Sequence, residues 1–168
     1  MRRAARTVTA SCLMLAAAGL SGCGFTPLYA TPSLSSGLSS IQVVAPDGRV
    51  AYLIRVDLDD DLAHDKSAPP LWRLTYTVNQ TRGPRGLNLN DIAERYEIGV
   101  TVNYTLTNLA TGAVVHTGKV ASELSYDSAT APYAGIAARQ DTQQRVASDA
   151  ARRMQLDLAA WMSSHPSR

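Results

Sequence analysis

Cysteine is nearly absent: two residues in 168 supply neither a disulfide framework nor a four-cysteine zinc site. Charge is also scarce, at 18% of residues and a net +2. That excludes a nucleic-acid-binding chain with a basic stripe and a charge-rich disordered one. Long apolar runs are missing too, since the most apolar uncharged stretch, Thr7 to Leu20, falls short of the roughly 20 residues a helix needs to cross the hydrocarbon core. Catalytic signatures are equally lacking. The chain has no G-x-S-x-G elbow, no phosphate-cradling glycine loop and no H-E-x-x-H pair. What remains is a 45% hydrophobic chain long enough for one domain with a real core.

The basic residues that are present fall in a telling place. Arg2, Arg3 and Arg6 precede the Thr7–Leu20 stretch and no acid occurs before Asp47, which is the n-region and h-region of an export signal. Leu20-Ser21-Gly22-Cys23 then has the form of a bacterial lipoprotein box, in which small residues enter the peptidase and the Cys23 thiol takes diacylglycerol. Residues 1–22 are therefore read as a cleaved signal peptide. The cofactor inventory is empty apart from covalent diacylglycerol and an N-acyl chain on Cys23. Several acyl chains on one residue suffice for stable anchoring, each buried methylene contributing roughly 0.8 kcal/mol. Gly24 stands where an Asp would resemble an inner-membrane retention signal, which favours the outer membrane. Loss of the three arginines leaves the mature chain slightly acidic. It also leaves no free thiol, because Cys12 departs with the signal and Cys23 is acylated, so nucleophilic cysteine chemistry is unavailable.

Residues 23–40 are expected to form a lipidated N-terminus and flexible tether, from the Pro/Ser/Gly tract Thr31 to Ser40. A single domain is expected over 41–165. Ile41 to Val44 reads as a short strand, and Asp47 as the cap of a helix whose Val50, Leu53, Ile54, Leu58 and Leu62 share one stripe. Strict alternation marks Trp72 to Asn79 and Tyr96 to Thr107 as half-buried strands, and Ala113 to Tyr126 completes a hairpin. Val146, Ala150, Met154, Leu158 and Trp161 lie at helical spacing in a last helix. The fold class is thus α+β, a roughly four-stranded mixed sheet with two amphipathic helices on one face, in the order β-α-β-β-β-α.

Few residues suggest a site. Asp57-Leu58-Asp59-Asp60-Asp61 opens like an EF-hand, but Leu62 occupies the obligatory glycine position and Ala68 the bidentate glutamate position. His64, His116 and His165 lack ligand spacing, so no metal site is expected. Arg82 and Arg85, on either side of Gly83-Pro84, are read as a basic loop between two strands. Spacing alone favours ordinary solubilising loop charge, with guanidinium groups that could pair with lipid phosphates as the other reading.

The segment Cys23-Gly24-Phe25-Thr26-Pro27-Leu28-Tyr29 resembles the start of the mature chain in the LptE family of lipopolysaccharide-assembly lipoproteins, whose members commonly begin C-G-[F/L]-x-P-L-Y. That resemblance implies a fold of two helices against a four-stranded mixed sheet. It implies no enzyme activity. It implies instead an outer-membrane lipoprotein that plugs the LptD β-barrel, helps it assemble and takes part in delivering lipopolysaccharide, with no nucleic-acid partner. Basic residues near the sheet loops bind lipopolysaccharide in the family, and here Arg82, Arg85 and then Lys119 on the last strand are the candidates by position and charge. An auxiliary lipoprotein of an ABC-type lipid transport system is the alternative.

Overall fold

A computed structural model describes residues 32–87, 93–127 and 131–165. Cys23, the signal peptide and the first part of the tether lie outside the described residues. The elements run α1 (Pro32–Ser39), β1 (Ile41–Val44), α2 (Arg49–Asp61), β2 (Trp72–Leu87), β3 (Ala93–Asn108), β4 (Val114–Asp127) and α3 (Pro132–Ser164). The strands form one mixed sheet in the order β1-β2-β3-β4, with β1 parallel to β2 and the other pairs antiparallel. The expected fold class is the one observed, with α2 and α3 over one face of the sheet. α1 is an addition to the expected order.

Alternation decides which face is covered. Leu74 and Tyr76 of β2, Ile98, Val100, Val102, Tyr104 and Leu106 of β3, and Tyr126 of β4 are buried on the inner face. Against them lie Val50, Ile54, Leu58 and Leu62 from the α2 stripe and Val146, Ala150, Met154 and Leu158 from α3. Polar ties reinforce the contact between layers. The Tyr76 hydroxyl donates to the Ala51 carbonyl at 2.7 Å, Gln155 to the Asp61 carbonyl at 2.7 Å, and Ser148 to Asp57 at 2.6 Å. Burial pushes the Tyr76 hydroxyl well above its ordinary pKa, so it stays a donor.

Three expectations need correction. Thr31 to Ser40 is not all tether, because Pro32–Ser39 is helical and Leu38 is fully buried in the main core. Asp47 does not cap α2. Gly48 takes that place at φ 124°, a backbone conformation open to glycine, and no side chain caps the helix. Finally, Gly83-Pro84-Arg85 is not a loop: β2 continues to Leu87, with Arg82 opposite Ile98, Pro84 opposite Tyr96 and Arg85 opposite Arg95. Pro84 is tolerated because β1 covers only Trp72 to Thr75, so the rest of β2 has β3 as its only strand neighbour among the described residues.

The sheet has two distinct ends. At the near end α1 enters, the β3–β4 turn lies beside Leu71, and the Leu71 and Trp72 amides donate to the Ser40 carbonyl at 3.0 and 3.3 Å. Trp161 packs edge-on against Trp72 with centroids 5.8 Å apart and stacks on His116 at 5.5 Å. The far end carries Arg85, Arg95 and Asp127, and beyond it the start of α3 exposes Tyr133 and Ile136.

Candidate functional site

An unbroken register places the basic candidates apart. Arg82 and Arg85 are three residues apart on one continuous ladder, so their side chains leave opposite faces of the sheet. Arg82 lies on the inner face. Its guanidinium sits 3.9 Å from the Tyr96 ring centroid and 5.8 Å from that of Tyr126, and its Nε donates to the Tyr126 hydroxyl at 2.7 Å. Tyr96 and Tyr126 stack at 5.8 Å, so Arg82 closes the far end of the core with its charge partly spent on two rings.

Arg85 is on the outer face, where its Nε donates to Glu97 at 2.7 Å. That hydrogen bond raises the Arg85 pKa, and the guanidinium is an already partnered cation. Arg95 pairs likewise with Asp127 at 2.9 Å. Glu97 and Asp127 are visible as partners only once the β2–β3 and β3–β4 registers are known. Reading 83–86 as a loop hid the first.

Lys119 is different. It sits opposite Asn103, which sits opposite Thr77, on the outer face. Eight residues along the strands separate this row from the Arg85 row, about 26 Å at the usual strand rise. Around Lys119 is an open groove of about 600 Å³ whose outward side chains are Thr75, Thr77, Asn103, Thr105 and Thr117. Lys119 has no ion pair among the described residues, so a single unpaired cation stands among hydroxyls and one amide. Such a surface offers hydrogen bonds to a polyhydroxylated or phosphorylated group and a point charge to an anion.

A second polar cluster lies beneath the sheet. The Asp157 carboxylate accepts a hydrogen bond from the Tyr104 hydroxyl and pairs with His116 Nε2 at 2.6 Å. Burial would raise the Asp157 pKa, but the Tyr104 and His116 hydrogen bonds outweigh it and hold the carboxyl below its ordinary value. Asp149, which accepts from Ser122 and Arg153 at 2.7 and 2.8 Å, is lowered against burial in the same way. These carboxylates clamp α3 to β3 and β4. Depressed folded-state values mean stability that is present above the unfolded carboxylate pKa and is lost as pH falls through the folded one. Asp157→Asn should cost about 1–2 kcal/mol at neutral pH. Thermal unfolding across a pH series checks it, since the gap to wild type should close below about pH 3.8, the unfolded value. Among the described residues no group of His, Cys, Asp and Glu is arranged to hold a metal ion.

Comparison with solved structures places the chain. It is 45% identical to a protein of Caulobacter crescentus CB15 described as a lipoprotein, with a TM-score of 0.69 over 80% of this chain and 98% of that one. The chain belongs to this lipoprotein family. The lipoprotein shares its fold, at 14% identity and a TM-score of 0.59, with the rare lipoprotein B of Shewanella oneidensis, covering 76% of this chain and 98% of that one. It shares it also with a lipoprotein B of Nitrosomonas europaea, at 15% identity and a TM-score of 0.58, over 74% and 84% of the two chains. No protein-family model and no curated protein matches the lipoprotein. Membership agrees with the export signal and the Leu20-Ser21-Gly22-Cys23 box read from the sequence.

Proposed function

We propose that this lipoprotein is a non-enzymatic assembly factor of the LptE type. Anchored through Cys23 to the periplasmic face of the outer membrane, it would plug and help assemble the LptD barrel and take part in delivering lipopolysaccharide. The observation that carries the reading is the outer face of the sheet, where Thr75, Thr77, Asn103, Thr105 and Thr117 surround Lys119. The lumen of an outer-membrane barrel is polar, and a plug must offer it hydroxyls and amides while keeping its apolar surface against its own helices. Alternation in β2 to β4 divides the side chains in that way. The Cys23-to-Tyr29 segment supports the same family.

On this reading the cationic candidates are unequal. Lys119, unpaired in the groove, is the first contact for a lipopolysaccharide phosphate. Arg85 must leave Glu97 to contribute, and Arg82 must leave its two tyrosines. The test is to purify the lipidated protein from membranes in mild detergent and identify what stays attached. A large heat-modifiable barrel is the expected companion. An inner-membrane ABC transporter without a barrel would overturn the proposal in favour of the alternative. Cys23→Ala should incorporate no labelled fatty acid, and retained label would overturn the anchor.

A further inference from the structure

The sheet has two unequal edges. On the β2 side, β1 covers Trp72 to Thr75 and the remainder contains Pro84, a residue that blunts an edge. β4 is the open side. Among the described residues its only strand neighbour is β3, and from His116 to Asp127 the pairing runs through twelve residues without a register shift. Sheets commonly protect such an edge with proline, a bulge, shortness or charge. This stretch has no proline and no bulge, so charge is the device that remains.

The charges are arranged to attract a copy of themselves. On the outer face the stretch presents Thr117, Lys119, Ala121, Glu123 and Ser125, all exposed. Lys119 and Glu123 are four residues apart on one strand, about 13 Å, too far to pair with each other. Neither has an ion pair among the described residues. Glu123 lies near enough to Arg85 to act on it electrostatically, but the Arg85 hydrogen bond goes to Glu97. The remaining charges along this edge are matched inside the chain, Asp127 by Arg95, Asp149 by Arg153 and Asp157 by His116.

About Ala121 the row runs hydroxyl, cation, methyl, anion, hydroxyl. A second copy laid antiparallel along β4, with Ala121 opposite Ala121, sets each Lys119 against the other copy's Glu123 and each Thr117 against its Ser125. Opposed side chains stand about 5 Å apart, so two ion pairs form where one chain alone forms none. Alignments centred instead on Lys119 or on Glu123 oppose like charges and are penalised. The alignment about Ala121 also shelters the half-buried Val120 and Leu124 at the same edge.

We infer that β4 is a self-recognition edge, along which two copies of the lipoprotein pair antiparallel about Ala121 and join their sheets. The inference is independent of the plug reading, although pairing engages Lys119 and withdraws it from the groove.

The mature chain has no cysteine beyond Cys23, so single thiols report the alignment. Ala121→Cys puts two thiols at the two-fold position, within disulfide reach, whereas Ser125→Cys holds them about 26 Å apart. Each variant is purified from membranes in mild detergent, oxidised in dilute solution and compared on a non-reducing gel with the parent chain as blank. Ala121→Cys should form a covalent dimer several-fold faster than Ser125→Cys. Equal rates at the two positions, or monomer at both, would overturn the inference, leaving the edge to water or to another chain. Charge exchange is the second reading. In sedimentation velocity Lys119→Glu and Glu123→Lys should each weaken self-association at least tenfold, and an equimolar mixture of the two variants should restore it. Singles that associate like the parent, or a mixture that stays monomeric, would refute the pairing.

Discussion

Gly118→Val should lower the unfolding free energy by about 3 kcal/mol, the upper part of the range for overpacking a core position. The reason is a close approach on the inner face. Gly118 is the cross-strand partner of Tyr104, and a Cβ at Gly118 would stand 2.2 Å from Tyr104 Cζ and 2.3 Å from its hydroxyl oxygen. A phenol at the tip of a free side chain would swing aside, but this one cannot do so without loss. Tyr104 is only 2% exposed and its hydroxyl donates to Asp157. Burial, with the Asp157 hydrogen bond behind it, pushes the Tyr104 pKa far up, so the group remains a donor throughout the physiological range. Displacing the ring therefore breaks the bond that fastens β3 to α3 and leaves a buried hydroxyl unpaired. Urea unfolding measures the loss. Combining Gly118→Val with Tyr104→Leu should give a smaller loss than the two single changes added together, with a coupling of about 1 kcal/mol or more. Strict additivity would show that the ring does not set the requirement for glycine.

Much of this fold was legible because one face of each element is buried. Val50, Ile54, Leu58 and Leu62 recur at helical spacing and all are buried, as are Val146, Ala150, Met154 and Leu158. Leu74 and Tyr76, and then Ile98 to Leu106 at alternate positions, define the inner face as their period requires. The failures have a common physical origin in partners distant in sequence. Gly83-Pro84 carries the local signature of a turn, yet 14 residues of continuous pairing from Trp72 to Arg85 extend the ladder through it. That error placed Arg82 and Arg85 on one projecting loop, when alternation sends them to opposite faces. Their partners Tyr126 and Glu97 lie 44 and 12 residues away, and no local pattern announces them. Of the three basic candidates, Lys119 alone lies in a segment that the sequence itself marks as a strand. It is also the one that faces the groove without an ion pair among the described residues.

The tether raises the sharper case. A Ser-rich octet containing Gly37 has weak helical propensity, and an isolated helix so short is not stable in water. What stabilises it is tertiary: Leu38 is fully buried, Leu34 packs against the same core, and α1 lies on α3 beside Met162. Leu38→Ala should therefore cost about 3 kcal/mol, in the range for truncating a buried leucine, whereas a leucine in a true tether would change nothing. The loss has a route beyond α1 itself. Ser39 and Ser40 supply the carbonyls that receive His64 Nδ1, the Asp65 amide and the Leu71 amide, so an undocked α1 loosens the connection between α2 and β2. Urea unfolding reads the cost, and native-state hydrogen exchange reads its location. Faster exchange at Asp65, Leu71 and Trp72 should accompany the change, ahead of the Tyr104 region. An unchanged midpoint would return residues 32–39 to the tether. A lowered midpoint makes residues 32–39 part of the folded domain, with α1 held in place by the packing of Leu38.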